Sequence, residues 1–147
     1  MISSDSIVIR MYRNSLKVNL VRLKVDSILG REKEIVQMNK NQIRHGFDSY
    51  DKYFVPYRDD DYAVMKSGLA SYLSDYPIPD LYLTGRFQNQ MYLDVIGKNV
   101  FIDSRDDKAP KLKAKYAPFG LDKANHSNAQ TIVSNDYVKE VAKALRK

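Results

Sequence analysis

The amino-acid sequence predicts an α+β fold: a long N-terminal helical element, a second helix, a small mostly antiparallel sheet and a C-terminal helix. Three observations predict it. Apolar residues recur at helical spacing from about Asn14 to residue 45, and again from Ser134 to Leu145. Two β-rich runs, Met91–Ile96 and Asn99–Ser104, flank the dipeptide Gly97-Lys98, which suits a two-residue type II′ hairpin turn. Gly and Pro punctuate the stretches between. The 147 residues read as one domain, 1–147, with no repeat and no linker to divide it.

Each element has its own reason. Residues 1–13 read as an extended arm, because Ile7, Val8 and Ile9 are β-branched and favour extended backbone. From Asn14 to residue 45 the period is helical. Leu16, Leu20 and Leu23 share one face, Ile28 continues it, and Ile35, Met38 and Gln42 resume it. Gly30 interrupts at a cost of about 1 kcal/mol relative to Ala, either as a bend between two helices or as a tolerated residue. Gly46 stands where a helix-ending glycine belongs, just past Arg44 and His45, which suit the C-terminal dipole. Phe47–Lys52 is a polar turn. Tyr53–Tyr57 is extended, and Pro56 keeps it out of a central strand. Asp59-Asp60-Asp61 opens a second helix, Asp60–Leu73.

Tyr76-Pro77-Ile78-Pro79 is a stiff connector into the region 80–121, which carries the sheet. A short strand, Leu81–Thr84, turns sharply at Thr84-Gly85, and the hairpin follows. Arg105–Lys108 is a charged loop. Pro110–Lys115 is a helical turn with Pro near its first position. Pro118–Leu121 is a second corner, built on Gly120. Asp122–Gln130 is polar and reads as loop. The last helix, 134–146, places Val138, Val141 and Leu145 on one face.

Composition excludes several function classes. There is no Cys, which removes disulfides, thiolate zinc sites and cysteine nucleophiles, and suits a reducing cytoplasm. No apolar run reaches the length of about 18 residues that a membrane span needs. Residues 1–6 lack the basic-then-apolar layout of a signal peptide. The acidic clusters Asp59–Asp61 and Asp103–Asp107 lack the alternating ligands, central Gly and closing Glu of a calcium loop. They read as helix capping and a solvated hairpin exit. The only two histidines, His45 and His126, have no accompanying nucleophile and orienting carboxylate. Gly85-Arg86 and Gly97-Lys98 are lone glycines beside bases, short of a phosphate loop. The expectation is therefore a protein that is not an enzyme, with no catalytic residue, no metal and no cofactor.

The net charge of +6 suits nucleic acid, through counterion release, or an acidic protein surface. The 11 tyrosines add contact area of the kind enriched at protein interfaces. Tyr50, Tyr53, Tyr57, Tyr76 and Tyr116 fall in segments read as loops or edges.

Five groups of residues carry a resemblance: Asn39-Lys40-Asn41-Gln42-Ile43 with Gly46; Val55-Pro56-Tyr57; Tyr62-Ala63 with Lys66; Pro79 to Gly85 with Phe87; and Lys115-Tyr116 with Phe119-Gly120-Leu121. Together they resemble the neck and tail-completion (head–tail joining) proteins of tailed bacteriophages, most nearly a group from Bacteroides-type phages and prophages. The resemblance covers about Ile35 to Leu121. It implies a structural virion protein, made in the host bacterial cytoplasm. It further implies one subunit of a homo-oligomeric ring that joins the portal side to the tail and contacts other neck, portal or tail proteins. Thr84, Gly85, Gly97 and Gly120 would be scaffold turns. Phe47, Tyr50, Tyr53, Tyr57, Tyr92, Lys98, Phe101 and Tyr116 are candidate subunit contacts. Lys108, Lys111, Lys113 and Lys115 are candidate contacts to DNA in the channel or to an acidic partner. On a strand the last three share one face; on a helix they spread. With Arg10, Arg13, Lys17, Arg22 and Lys24 they support the competing class, a small basic nucleic-acid-binding protein without sequence specificity.

Overall fold

Asn19 opens the first full helix: its side chain accepts a hydrogen bond from Arg22 N at 3.0 Å, satisfying an amide that has no partner in the helix. In the computed structural model, which describes residues 11–146, α1 runs Leu20–Leu29 and ends on Gly30, and α2 runs Glu32–Arg44. The expected 14–45 element is thus two consecutive helices broken at Gly30, preceded by a helical stretch at 11–15 and a turn. The expected arm is corrected accordingly at 11–13, which are helical; its Ser3–Arg10 part lies outside the described residues. Leu16, in the turn before Asn19, is 72% exposed, and Leu20, in the first turn of α1, is 50% exposed, so neither joins the core with Ile28 and Ile35. Gly46 closes α2 at φ +85°, and His45 Nδ1 donates to Asn41 O at 2.8 Å.

Helix α3, Asp60–Ser67, begins as its carboxylates predict: the Asp59 side chain accepts from Tyr62 N at 2.9 Å. It stops at Gly68, short of the expected Leu73. Tertiary bonds take the chain beyond it. Arg44 Nη2 donates to Ser71 O at 2.9 Å, and the Tyr72 hydroxyl donates to Ile78 O at 2.5 Å.

The expected strand Leu81–Thr84 does not form. Leu81 sits at φ +48°, a left-handed conformation outside the β region, and Tyr82 N turns back to Asp80 Oδ1 at 3.1 Å. Gly85, at φ +75°, instead starts the one-turn helix α4, Arg86–Asn89. Among the described residues the sheet is the expected hairpin alone. Strands β1, Met91–Ile96, and β2, Asn99–Ser104, pair antiparallel, with Met91 opposite Ser104 and Ile96 opposite Asn99. Gly97 has φ +64° and Lys98 has no positive φ, the sign pattern of a type II′ turn. Met91, Leu93 and Ile102 face the core, while Phe101 and Lys98 face outward.

Helix α5, Ala109–Tyr116, carries Pro110 in its first turn and ends at Ala117, φ +45°. Helix α6 runs Lys123–Arg146, 24 residues, roughly 36 Å at 1.5 Å per residue. The expected loop Asp122–Gln130 is its beginning. Asp122 is the reason: its Oδ1 accepts from Asn125 N at 2.8 Å, three residues on, as a capping side chain does. The inward stripe of α6 steps by four through Ala129, Val133, Tyr137, Val141 and Leu145. Val138 lies a position off it and is 64% exposed, which corrects its expected place beside Val141 and Leu145.

Helix α6 lies along α1, and α2 packs on β1. The core joins Ile35, Val36 and Ile43 of α2 to Phe54, Phe87, Met91, Leu93, Tyr116 and Ala129. Arg31, between α1 and α2, clamps Asp136 of α6 with Nε–Oδ2 at 2.6 Å and Nη2–Oδ1 at 3.1 Å. These bonds hold the Asp136 carboxyl below its ordinary range. A carboxyl with a lowered folded pKa contributes stability that is fully present above the unfolded value of about 3.9 and lost as pH falls through the lower folded one. Asp136→Asn is therefore expected to melt below the wild type at neutral pH, with the gap closing in strong acid. A gap that stays constant between neutral pH and strong acid would remove the ion pair as its cause.

Candidate functional site

Helix α2 supplies the first half of a polar scaffold. Asn39 and Gln42 lie one turn apart on its inner face, and both are buried. Asn39 Nδ2 donates to Pro118 O at 3.1 Å and Gly120 O at 2.7 Å. Gln42 Nε2 donates to Asp48 O at 2.8 Å and Gly120 O at 3.1 Å, and Gln42 Oε1 accepts from Asp122 N at 2.8 Å. Two amide side chains thereby fix the 47–53 loop, the Gly120 corner and the start of α6. Gly120, at φ +123°, has no room for more: a Cβ there would stand 2.9 Å from Ser49 Cβ.

The second half is an ion pair. Lys66 Nζ of α3 lies 3.1 Å from Asp80 Oδ1, with side-chain exposures of 2% and 0%. Lys66 Nζ also donates to Tyr82 O. Asp80 Oδ1 takes Tyr82 N, and Asp80 O takes Gln88 Nε2 at 3.2 Å. This network is what bends residues 80–85 out of a strand. Phe87 packs on Phe119 at 5.6 Å between ring centroids, and Phe54 on Tyr116 at 5.4 Å.

Above the ion pair lies an open cleft of about 700 Å³ between α3, residues 81–86 and α5. Its floor is Leu81, Phe87, Leu112, Tyr116 and the end of Lys66; Tyr57 and Tyr62 form one wall. Burial pushes the Tyr57 hydroxyl far above its ordinary pKa, so it stays protonated at any physiological pH. Arg58, Lys108 and Lys115 bring positive charge to the cleft. Arg86 is engaged with Asp106 at 3.3 Å and Asp107 at 3.5 Å.

The helical reading of 108–116 decides what the lysine row does. Lys108, Leu112 and Lys115 fall on one stripe at steps of four and three and line the cleft. Lys111 is exposed elsewhere on α5. Lys113 reaches Asp103 Oδ2 at 3.5 Å and lies 5.5 Å over the Phe119 ring. The four lysines do not form one row.

The other sequence-named residues fall into three groups. Thr84, Gly85, Gly97 and Gly120 sit in turns; Thr84 Oγ1 accepts from Arg86 N at 3.4 Å. At the surface, Tyr50 is 74% exposed at the tip of the 47–53 loop. Phe47 stacks on Tyr53 at 4.4 Å, and the Tyr53 hydroxyl donates to Asp75 Oδ2 at 2.9 Å, which raises its pKa. Tyr92 is half-buried under Arg105, which lies 4.6 Å from its ring centroid; Phe101 is half-exposed and Lys98 fully at the hairpin tip. Tyr116 is the exception, buried in the core rather than set on a loop.

Asp59 caps α3 as expected; the expected solvated exit Asp103–Asp107 is corrected at Asp106, which is buried and accepts from Lys108 N at 2.8 Å in a turn before α5. Among the described residues, no group of three or more His, Asp or Glu is placed to hold a metal, and no helix is long and apolar enough to cross a membrane. Sequence reasoning missed the Lys66–Asp80 pair and the role of Arg58. Lys66 stands in a helix that opens with three carboxylates, where a lysine reads as solvated. No protein-family model matches the chain, nor does any curated protein or solved structure.

Proposed function

We propose that this chain is a structural subunit of a tailed-phage particle, one member of a ring in the neck or tail-completion layer between portal and tail. The observation that carries the reading is the convergence of the residues that hold the resemblance. Asn39, Gln42, Lys66, Asp80, Phe87, Tyr116, Phe119 and Gly120 come from distant parts of the sequence and meet in one polar and aromatic scaffold. Short motifs that bond and pack on one another are stronger support for the reading than the same motifs taken separately.

The surface supports assembly as well. Tyr50, Tyr53, Ile96 and Phe101 present aromatic and aliphatic area to solvent on two separate elements, the 47–57 loop and the hairpin. Aromatic side chains are enriched at sites of protein contact. A cyclic ring needs two different, mutually complementary faces on each subunit, and these two elements are the candidates. The role is mechanical, with no catalytic step.

Immunogold labelling of particles from cells producing this protein tests the reading. Label is expected at the head–tail junction. Absence of the protein from purified particles, together with salt-sensitive binding to free DNA, would replace the ring subunit by the basic nucleic-acid-binding protein.

A further inference from the structure

We infer that the cleft between α3, residues 81–86 and α5 is a docking site for a protein segment carrying one apolar anchor flanked by carboxylates. The inference deepens the proposed function by giving the partner chemistry of one face, and it rests on that reading only for the partner's location in a phage particle.

Three features select this occupant. Leu81, Phe87, Leu112 and Tyr116 make most of the floor apolar around the paired Lys66, which suits one apolar anchor. The walls carry Arg58, Lys108 and Lys115, none of which has a carboxylate partner within 4.0 Å among the described residues. They are complementary to acidic flanks, and charges so placed select partners and steer their approach. Asp59, Asp106 and Asp107 share the lining. A continuous phosphate backbone would meet these carboxylates as like charges, whereas a peptide can direct its N–H groups to them.

The site is built on fixed elements. Lys108 and Lys115 stand on one face of α5, and Tyr116, next to Lys115, is packed on Phe54. Lys66 at the floor is tied to Asp80 and Tyr82. An incoming segment would therefore meet a preformed groove, which limits the ordering cost of binding.

A displayed library of random nonapeptides, selected on the full-length protein, is the test. The selected sequences are expected to place Asp or Glu on both sides of one Leu, Phe or Tyr. The best peptide, measured by fluorescence polarisation, is expected to weaken at least about tenfold on Lys108→Glu/Lys115→Glu. It should weaken by a smaller factor on Lys108→Gln/Lys115→Gln, and be unchanged on the hairpin-tip variant Lys98→Glu. These side chains are exposed, and circular dichroism of each variant is the check that it is folded. The inference is overturned by a selection without the acidic–apolar pattern, by equal affinity for wild type and the Glu variant, or by displacement of the peptide by oligothymidylate at lower concentration than by free peptide. Immunogold label at the head–tail junction would leave the ring assignment standing in each of those cases, so the two failures are separable.

Discussion

Lys66→Met is expected to be the most damaging single change away from the hydrophobic core. It leaves Asp80, whose side chain is 0% exposed, as a buried carboxylate without its cation. Asp80 Oδ2 already has no hydrogen-bond partner, and only the Tyr82 N–H on Oδ1 would remain to offset the charge. Breaking one side of a buried pair costs about 3–5 kcal/mol. For a chain of this size that corresponds to a fall in melting temperature on the order of 10 °C. The double variant Lys66→Met/Asp80→Asn is expected to recover much of the loss, since it removes both charges and with them the penalty of an unpaired one. Thermal unfolding of the two single variants and the double one, read as a double-mutant cycle, measures the coupling. A Lys66→Met protein within about 1 kcal/mol of wild type would mean that the pair does not hold residues 80–85 in place.

Gly46→Ala comes second, by a different mechanism. Gly46 has φ +85°, and a Cβ there would stand 2.5 Å from Ile78 Cγ2, 3.2 Å from Pro79 O and closer still to Ser74 Oγ. The left-handed backbone costs an Ala about 1–2 kcal/mol, and forcing a methyl into packed surroundings adds about 1–3 kcal/mol. Gly97→Ala is the matched control. Gly97 has φ +64° with nothing within 4 Å of the added carbon, so only the backbone cost of about 1–2 kcal/mol applies. Urea midpoints should fall in the order wild type, Gly97→Ala, Gly46→Ala. Equal losses at the two positions would show that Gly46 is kept for its backbone conformation alone, without steric need.

What was legible in the sequence was local. The hairpin needs only two β-rich runs and a glycine that accepts positive φ, and both strands and their turn stand where the residues put them. The ends of α2 and the start of α3 follow from Gly46 and Asp59, which act within one turn of the chain. The start of α6 was missed: the polar run 123–130 read as loop and hid the capping side chain of Asp122. A surface helix is polar on most of its circumference, so polarity alone does not separate it from a loop.

The candidate site was legible only in part. Lys108 and Lys115 were singled out by charge, and the proline in their first turn already pointed to a helix; that helix then separates them from Lys111 and Lys113. Tyr116 reads as an interface residue from its place in a segment read as loop or edge, yet Phe54, far away in sequence, packs on it in the core.

By itself, then, the sequence determined the α+β class, the hairpin register and the starts of α3 and α5, because capping, turn chemistry and side-chain period act over one to four residues. Only the tertiary structure decided that residues 81–84 form no strand, that α3 stops at Ser67, and that a cleft opens above Lys66. Each of those depends on partners brought from elsewhere in the chain: Asp80 for Lys66, Arg44 for Ser71, Asn39 and Gln42 for Gly120. A buried charge or amide must be paired wherever the fold places it, and that requirement overrides the local preference of the segments it ties together.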